Sequence, residues 1–135
     1  MYKLQKDSIQ RVTDGAYIPI DMGNKDYQEY LAWVEDGNIP KPEFTNAEIL
    51  KRIQQDITSA IQTMLDTKAQ SMRYDNMMSA RSYAGYVNPF QAEAQSLAVW
   101  GANCWQKAGE INTDVESGKR PMPTVDEVIT EMPEL

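Results

Sequence analysis

Apolar positions along this chain change their period near residue 24. Before it they alternate as in strands: Ile9 to Thr13 and Ala16 to Ile20 flank Asp14-Gly15, a dipeptide suited to a tight two-residue hairpin turn, and Tyr2 to Leu4 adds a candidate third strand. Pro19 lacks a backbone N–H, so its strand is predicted at an edge of the sheet. From Asn24, a plausible N-cap, the pattern is helical, with Tyr27, Tyr30, Leu31 and Val34 on one face and Asp36-Gly37-Asn38 as the stop. Pro40-Lys41-Pro42 then reads as a stiff, extended linker.

Thr45 and Glu48 form a capping-box pair ahead of a long helix bearing Ile49, Leu50, Ile53, Ile57, Ile61, Leu65 and Ala69. Its end is less sharply written: it runs to about Ala84 or bends near Arg73-Tyr74-Asp75. Its stripe serves either as core under the hairpin or as a seam between copies of the chain, and intramolecular packing is the simpler reading. Methionines 72, 77 and 78 read as gap fillers near the following turn.

The most regular stripe lies between Asn88 and Gly118: Phe90, Ala94, Leu97, Gly101, Cys104, Ala108, Ile111 and Val115. The small residues at its middle predict close approach by a neighbour, which makes Gly101, Cys104 and Ala108 packing-critical, with Trp100 and Trp105 on the flanks. Asn88 is predicted as N-cap, Pro89 as the first helical residue, Gln91 as the capping-box partner and Gly118 as the stop. After an extended connector, Thr124 with Glu127 caps a short helix that Pro133 ends. The expected fold is mainly α with a small N-terminal β-hairpin (α+β): an antiparallel long-helix hairpin plus short N- and C-terminal helices. It divides into an arm over residues 1–40 and a helical part over residues 43–135.

A net charge of −7 without a basic stripe argues against nucleic acid as a partner. No apolar run suggests a signal sequence or a membrane span, so no membrane partner is expected, and the cytoplasm is the expected location. The chain has no histidine and one cysteine, and no Gly-rich phosphate loop, so neither a metal nor a cofactor is expected. Glu93 with Glu110, or Asp75 beside Arg73, are the only acid/base pairs to consider, and a solvated helix face explains them. The chain reads as a non-enzyme. Cys104 reads as a small core hydrophobe.

Two stretches resemble a known family. Asp14-Gly15-Ala16-Tyr17-Ile18-Pro19, followed by Asn24, Asp26-Tyr27, Tyr30-Leu31, Trp33 and Gly37-Asn38-Ile39-Pro40, resembles the opening module of small tailed-bacteriophage tail proteins, including tail-fibre assembly proteins. Ala69-Gln70, Tyr74-Asp75, Ser82-Tyr83-Ala84, Asn88-Pro89-Phe90, Trp100, Trp105 and the prolines 121, 123 and 133 are similar to the helical module that often follows. Gly101 and Asn103 depart from that pattern. The resemblance implies an assembly chaperone for a phage tail-fibre or tailspike protein, acting in the host cytoplasm, and no catalytic residue; the N-terminal arm, with an open strand edge and an aromatic helix, and the helical surface are expected to bind the fibre. A small structural component retained in the virion tail as adaptor or cap is the alternative, and a homo-oligomer is compatible with both. Tyr27, Tyr30 and Trp33 on the short helix, with Tyr17 and Ile18 on the edge strand, are the expected partner-binding residues, because large rings bury much area at small entropic cost. Two of the three helix rings covering the hairpin is the competing reading.

Overall fold

The computed structural model describes residues 1–135, which fall into two compact units, Met1–Leu50 and Lys51–Leu135. In the first, β1 (Tyr2–Leu4), β2 (Ser8–Arg11) and β3 (Tyr17–Pro19) form an antiparallel sheet in the order β1-β2-β3, and α1 (Lys25–Glu35) packs on it. The strands are shorter than the alternation predicts. The hairpin loop is wider than a two-residue turn: Arg11 pairs with Ala16, Gly15 N–H returns to the Arg11 carbonyl, and Asp14 Oδ1 accepts the Ala16 N–H at 3.1 Å. Gly15 sits at φ +74°, where a side chain would be strained. Asn24 caps α1 through the Tyr27 N–H, as its sequence indicates.

The helix α2 (Asn46–Ser71) opens on the expected reciprocal capping box: Thr45 Oγ1 accepts the Glu48 N–H, and the Glu48 carboxylate accepts the Thr45 N–H at 2.7 Å. It does not continue to Ala84. Arg73 takes φ +74°, and bonds from Tyr74 N–H to the Ala69 carbonyl and from Arg73 N–H to the Gln70 carbonyl close a Schellman end with arginine in the place usually held by glycine. A separate short helix, α3 (Met77–Ser82), follows, capped by Asn76 and tied to α2 where Asp66 Oδ1 accepts the Met77 N–H at 2.9 Å.

Helix α4 (Gln91–Glu116) starts later than predicted. Asn88 is not its N-cap: its amide donates to the carbonyls of Tyr83 and Tyr86, both at 2.7 Å, and its oxygen accepts the Phe90 N–H. The residue that would cap the helix is spent closing the turn before it, and the Gln91 amide bonds the Ala84 carbonyl instead of reaching back as a capping box. The other end matches expectation, with Gly118 at φ +78°. Gln54 bonds Asn112 while Tyr74, just past the end of α2, bonds Glu93, so α2 and α4 run antiparallel. α5 (Val125–Glu131), capped by Thr124, adds Val128 and Met132 to a core made with Ile61, Leu65, Met77, Ala80, Leu97, Cys104 and Ile111.

Candidate functional site

In the first unit, strand alternation decides which side chains a partner can reach. Ile18 is 1% exposed and packs with Ile9 beneath α1, so it belongs to the core and cannot serve as a contact residue. Its neighbour Tyr17 points the other way and is 66% exposed. Ile20 and Met22, on the segment leaving β3, are 57% and 67% exposed.

The aromatic residues of α1 are mostly absorbed by the sheet. Tyr30 is buried; its ring meets Tyr2 edge-on at 5.2 Å, and Tyr2 in turn meets Trp33 at 5.1 Å. Tyr27 and Trp33 stack on either side of Tyr30 at 5.9 and 6.5 Å and stay half-buried. Burial, with the nearby Tyr27, raises the Tyr30 phenol pKa and keeps it neutral. Of the five residues expected to bind a partner, Tyr17 is the one displayed openly; Tyr27 and Trp33 offer only their outer edges.

Both sheet edges are blunted. Arg11 pairs with Ala16 through a ladder bond, so alternation turns the backbone groups of Ile18 toward β2 and leaves those of Tyr17 and Pro19 facing outward. Pro19 has no N–H, and its carbonyl accepts from Asp21. On the far side Lys41 pairs with β1, donating to the Tyr2 carbonyl and accepting from Leu4 N–H, and a proline stands on each side of it. The segment predicted as a linker therefore seals an edge. On the β3 edge added-strand pairing has one residue, Tyr17, to work with, and recognition through side chains is the stronger option.

The second unit holds the packing residues. Gly101 faces α3, where an added Cβ would lie 3.5 Å from Met77 Cε and 2.7 Å from Arg81 Nη2. Cys104 is fully buried, and burial raises its thiol pKa. Trp100 is buried and donates its indole N–H to the Pro133 carbonyl at 2.7 Å; Trp105 and Ala108 are half-buried at the edge of the same core.

A cluster that the sequence reading does not single out lies at the α3–α4 turn. The Tyr83 ring meets Tyr74 at 5.7 Å, Tyr86 at 6.3 Å and Phe90 at 5.9 Å, with Phe90 54% exposed and the adjacent Val87 93% exposed. Tyr74 donates its hydroxyl to Glu93 at 2.8 Å; desolvation first, then that bond, raises its pKa, so it is a neutral donor. The sequence signal is four rings in seventeen residues, masked because Phe90 also fits the spacing of the α4 stripe.

No cluster of three or more His, Cys, Asp or Glu is placed to hold a metal ion, and no helix is long and apolar enough to cross a membrane. No protein-family model, curated protein or solved structure matches the chain.

Proposed function

We propose that this chain is a phage tail-fibre or tailspike assembly chaperone that works by side-chain capture of the fibre protein at its N-terminal unit. The observation that carries the reading is the exposure of Tyr17, Ile20 and Met22 beside a sheet whose core residues Tyr2, Ile9 and Ile18 are buried under α1. Large apolar side chains held out by a rigid scaffold suit transient protein contact, and an aromatic among them suits an anchor. The open strand edge expected to capture a fibre strand is absent, because Lys41 pairs with β1 and Pro19 interrupts β3, so the reading rests on these side chains. The resemblance of residues 14–40 to the opening module of tail-fibre assembly proteins supplies the partner class.

The test is co-expression with a fibre gene carried next to the gene for this chain. Soluble, trimeric fibre is expected to rise with the chain present and to fall back when Tyr17 and Met22 are both replaced by serine. Unchanged fibre yield contradicts the reading. Purified virions separate it from the structural alternative, because an adaptor or cap is present there at fixed copy number and an assembly factor is not.

A further inference from the structure

The Lys51–Leu135 unit holds a cavity whose lining bears on recognition independently of the reading above. The long helices and α5 leave a cavity of about 270 Å³ with apolar walls, chiefly Ile57, Ile61, Ile111 and Val128, and with Trp105 and Ala108 on one side. Pockets that hold whole small-molecule ligands span roughly 300–1,000 Å³. This one is the size for a single large side chain.

Its rim has a fixed hydrogen-bonding sense. The Glu116 carboxylate accepts only, so Asn112 must turn its amide NH₂ to it, at 3.1 Å; that turns Asn112 Oδ1 toward Gln54, whose NH₂ donates to it at 3.0 Å. Thr58, also on the rim, spends its hydroxyl proton on the Gln54 backbone carbonyl at 2.9 Å. What the rim has left over is oxygen: Gln54 Oε1, Thr58 Oγ1 and the second carboxylate oxygen of Glu116. An occupant with an apolar body and an N–H or O–H at its edge satisfies both wall and rim, whereas a purely hydrocarbon group would leave the rim unanswered. Gln54 and Thr58 also border a shallow depression with Lys51, Gln55 and Ser59, on which the chain flanking such a side chain can lie.

We propose that this pocket receives a tryptophan or tyrosine side chain from an extended segment of a partner polypeptide, its ring against Trp105 and the isoleucines and its N–H or O–H on the acceptor rim. The test titrates the full chain, ¹⁵N-labelled, with indole, with 1-methylindole, and with the capped tripeptide Ala-Trp-Ala. Saturable shifts are expected at the Trp105 indole N–H and at the Gln54 and Asn112 side-chain amides. Indole is expected to bind about fivefold or more tightly than 1-methylindole, the factor set by one hydrogen bond of about 1 kcal/mol, and the tripeptide more tightly than either. Ala108→Leu, which fills the cavity, is expected to abolish the shifts, with Val115→Leu as the second filling variant should the first fail to fold. Absence of saturable shifts, equal binding of the methylated probe, or indole binding as tightly as the tripeptide overturns the assignment.

Discussion

At the scale of single residues, two positions on α4 report how the helical unit is packed. Gly101 is covered by α3, and its nearest neighbour, the Arg81 guanidinium, is the free end of an exposed side chain. Gly101→Ala therefore requires Arg81 to swing aside and little else. Gly101→Leu has to displace Met77 from the core and is predicted to cost about 1–3 kcal/mol by overpacking. Thermal denaturation of the two variants checks this, and a leucine variant as stable as the parent shows that α3 does not rest on this face. Cys104 reports on the C-terminal closure: it is fully buried, its pKa is raised, and its sulfur lies 4.0 Å from the Pro133 carbonyl that also accepts from Trp100. Labelling of the native thiol is predicted to be slow and limited by opening. Trp100→Phe removes the indole bond, worth about 1 kcal/mol, and should accelerate labelling roughly fivefold. A thiol in the native chain that reacts as fast as in the unfolded one contradicts that packing.

At the scale of elements, helix starts and stops were legible wherever a local side chain makes them. Asn24, the Thr45–Glu48 pair, Thr124 and Gly118 act as their sequence context indicates. The end of α2 was not legible, because Ser71-Met72-Arg73 contains neither glycine nor proline; tertiary contacts impose the break, with Asp66 holding Met77 and Glu93 holding Tyr74. Arg73 pays for it with a left-handed backbone, at roughly 1 kcal/mol. Arg73→Gly is predicted to stabilise the unit by a few tenths of a kcal/mol to about 1 kcal/mol in urea unfolding, after the greater unfolded-state freedom of glycine is subtracted. A loss of stability in that variant shows that the arginine side chain matters more than its backbone. Asn88 misled for a related reason: a good N-cap residue three places before a helix is as useful for closing a turn, and only the turn's geometry chooses.

The short α5 carries a pH-sensitive tie. Arg120 forks onto Glu131 with two bonds of 2.9 Å, and this contact holds the Glu131 carboxyl below its ordinary pKa. A carboxylate depressed in the folded state stabilises above its unfolded pKa, and the contribution is lost as pH falls through the folded value. The Tm gap between the parent and Glu131→Gln is therefore predicted to be present at neutral pH and to close well below about pH 4. A gap independent of pH contradicts the assignment of the tie to this ion pair.

At the scale of the whole molecule, the fold class was legible because two hydrophobic periods occupy separate stretches, and a small antiparallel sheet with five helices is what forms. The surface proposed for binding was less legible. Strand alternation by itself could have separated Tyr17 from Ile18, but whether Trp33 is core or surface depends on Tyr2, thirty-one positions away, whose ring meets it. The pairing of Lys41 with β1 likewise has no local signature. The central claim is that Tyr17, Ile20 and Met22 capture the partner while Trp33 holds the N-terminal unit together. It is tested most directly by measuring fibre-protein affinity and urea stability on two variants, Tyr17→Ser/Met22→Ser and Trp33→Ala. The account predicts that the double variant loses affinity by about 2 kcal/mol or more with its stability nearly unchanged, as removal of an exposed anchor should, and that Trp33→Ala loses stability first. A double variant that binds normally, or a Trp33→Ala chain that is fully stable yet does not bind, contradicts it.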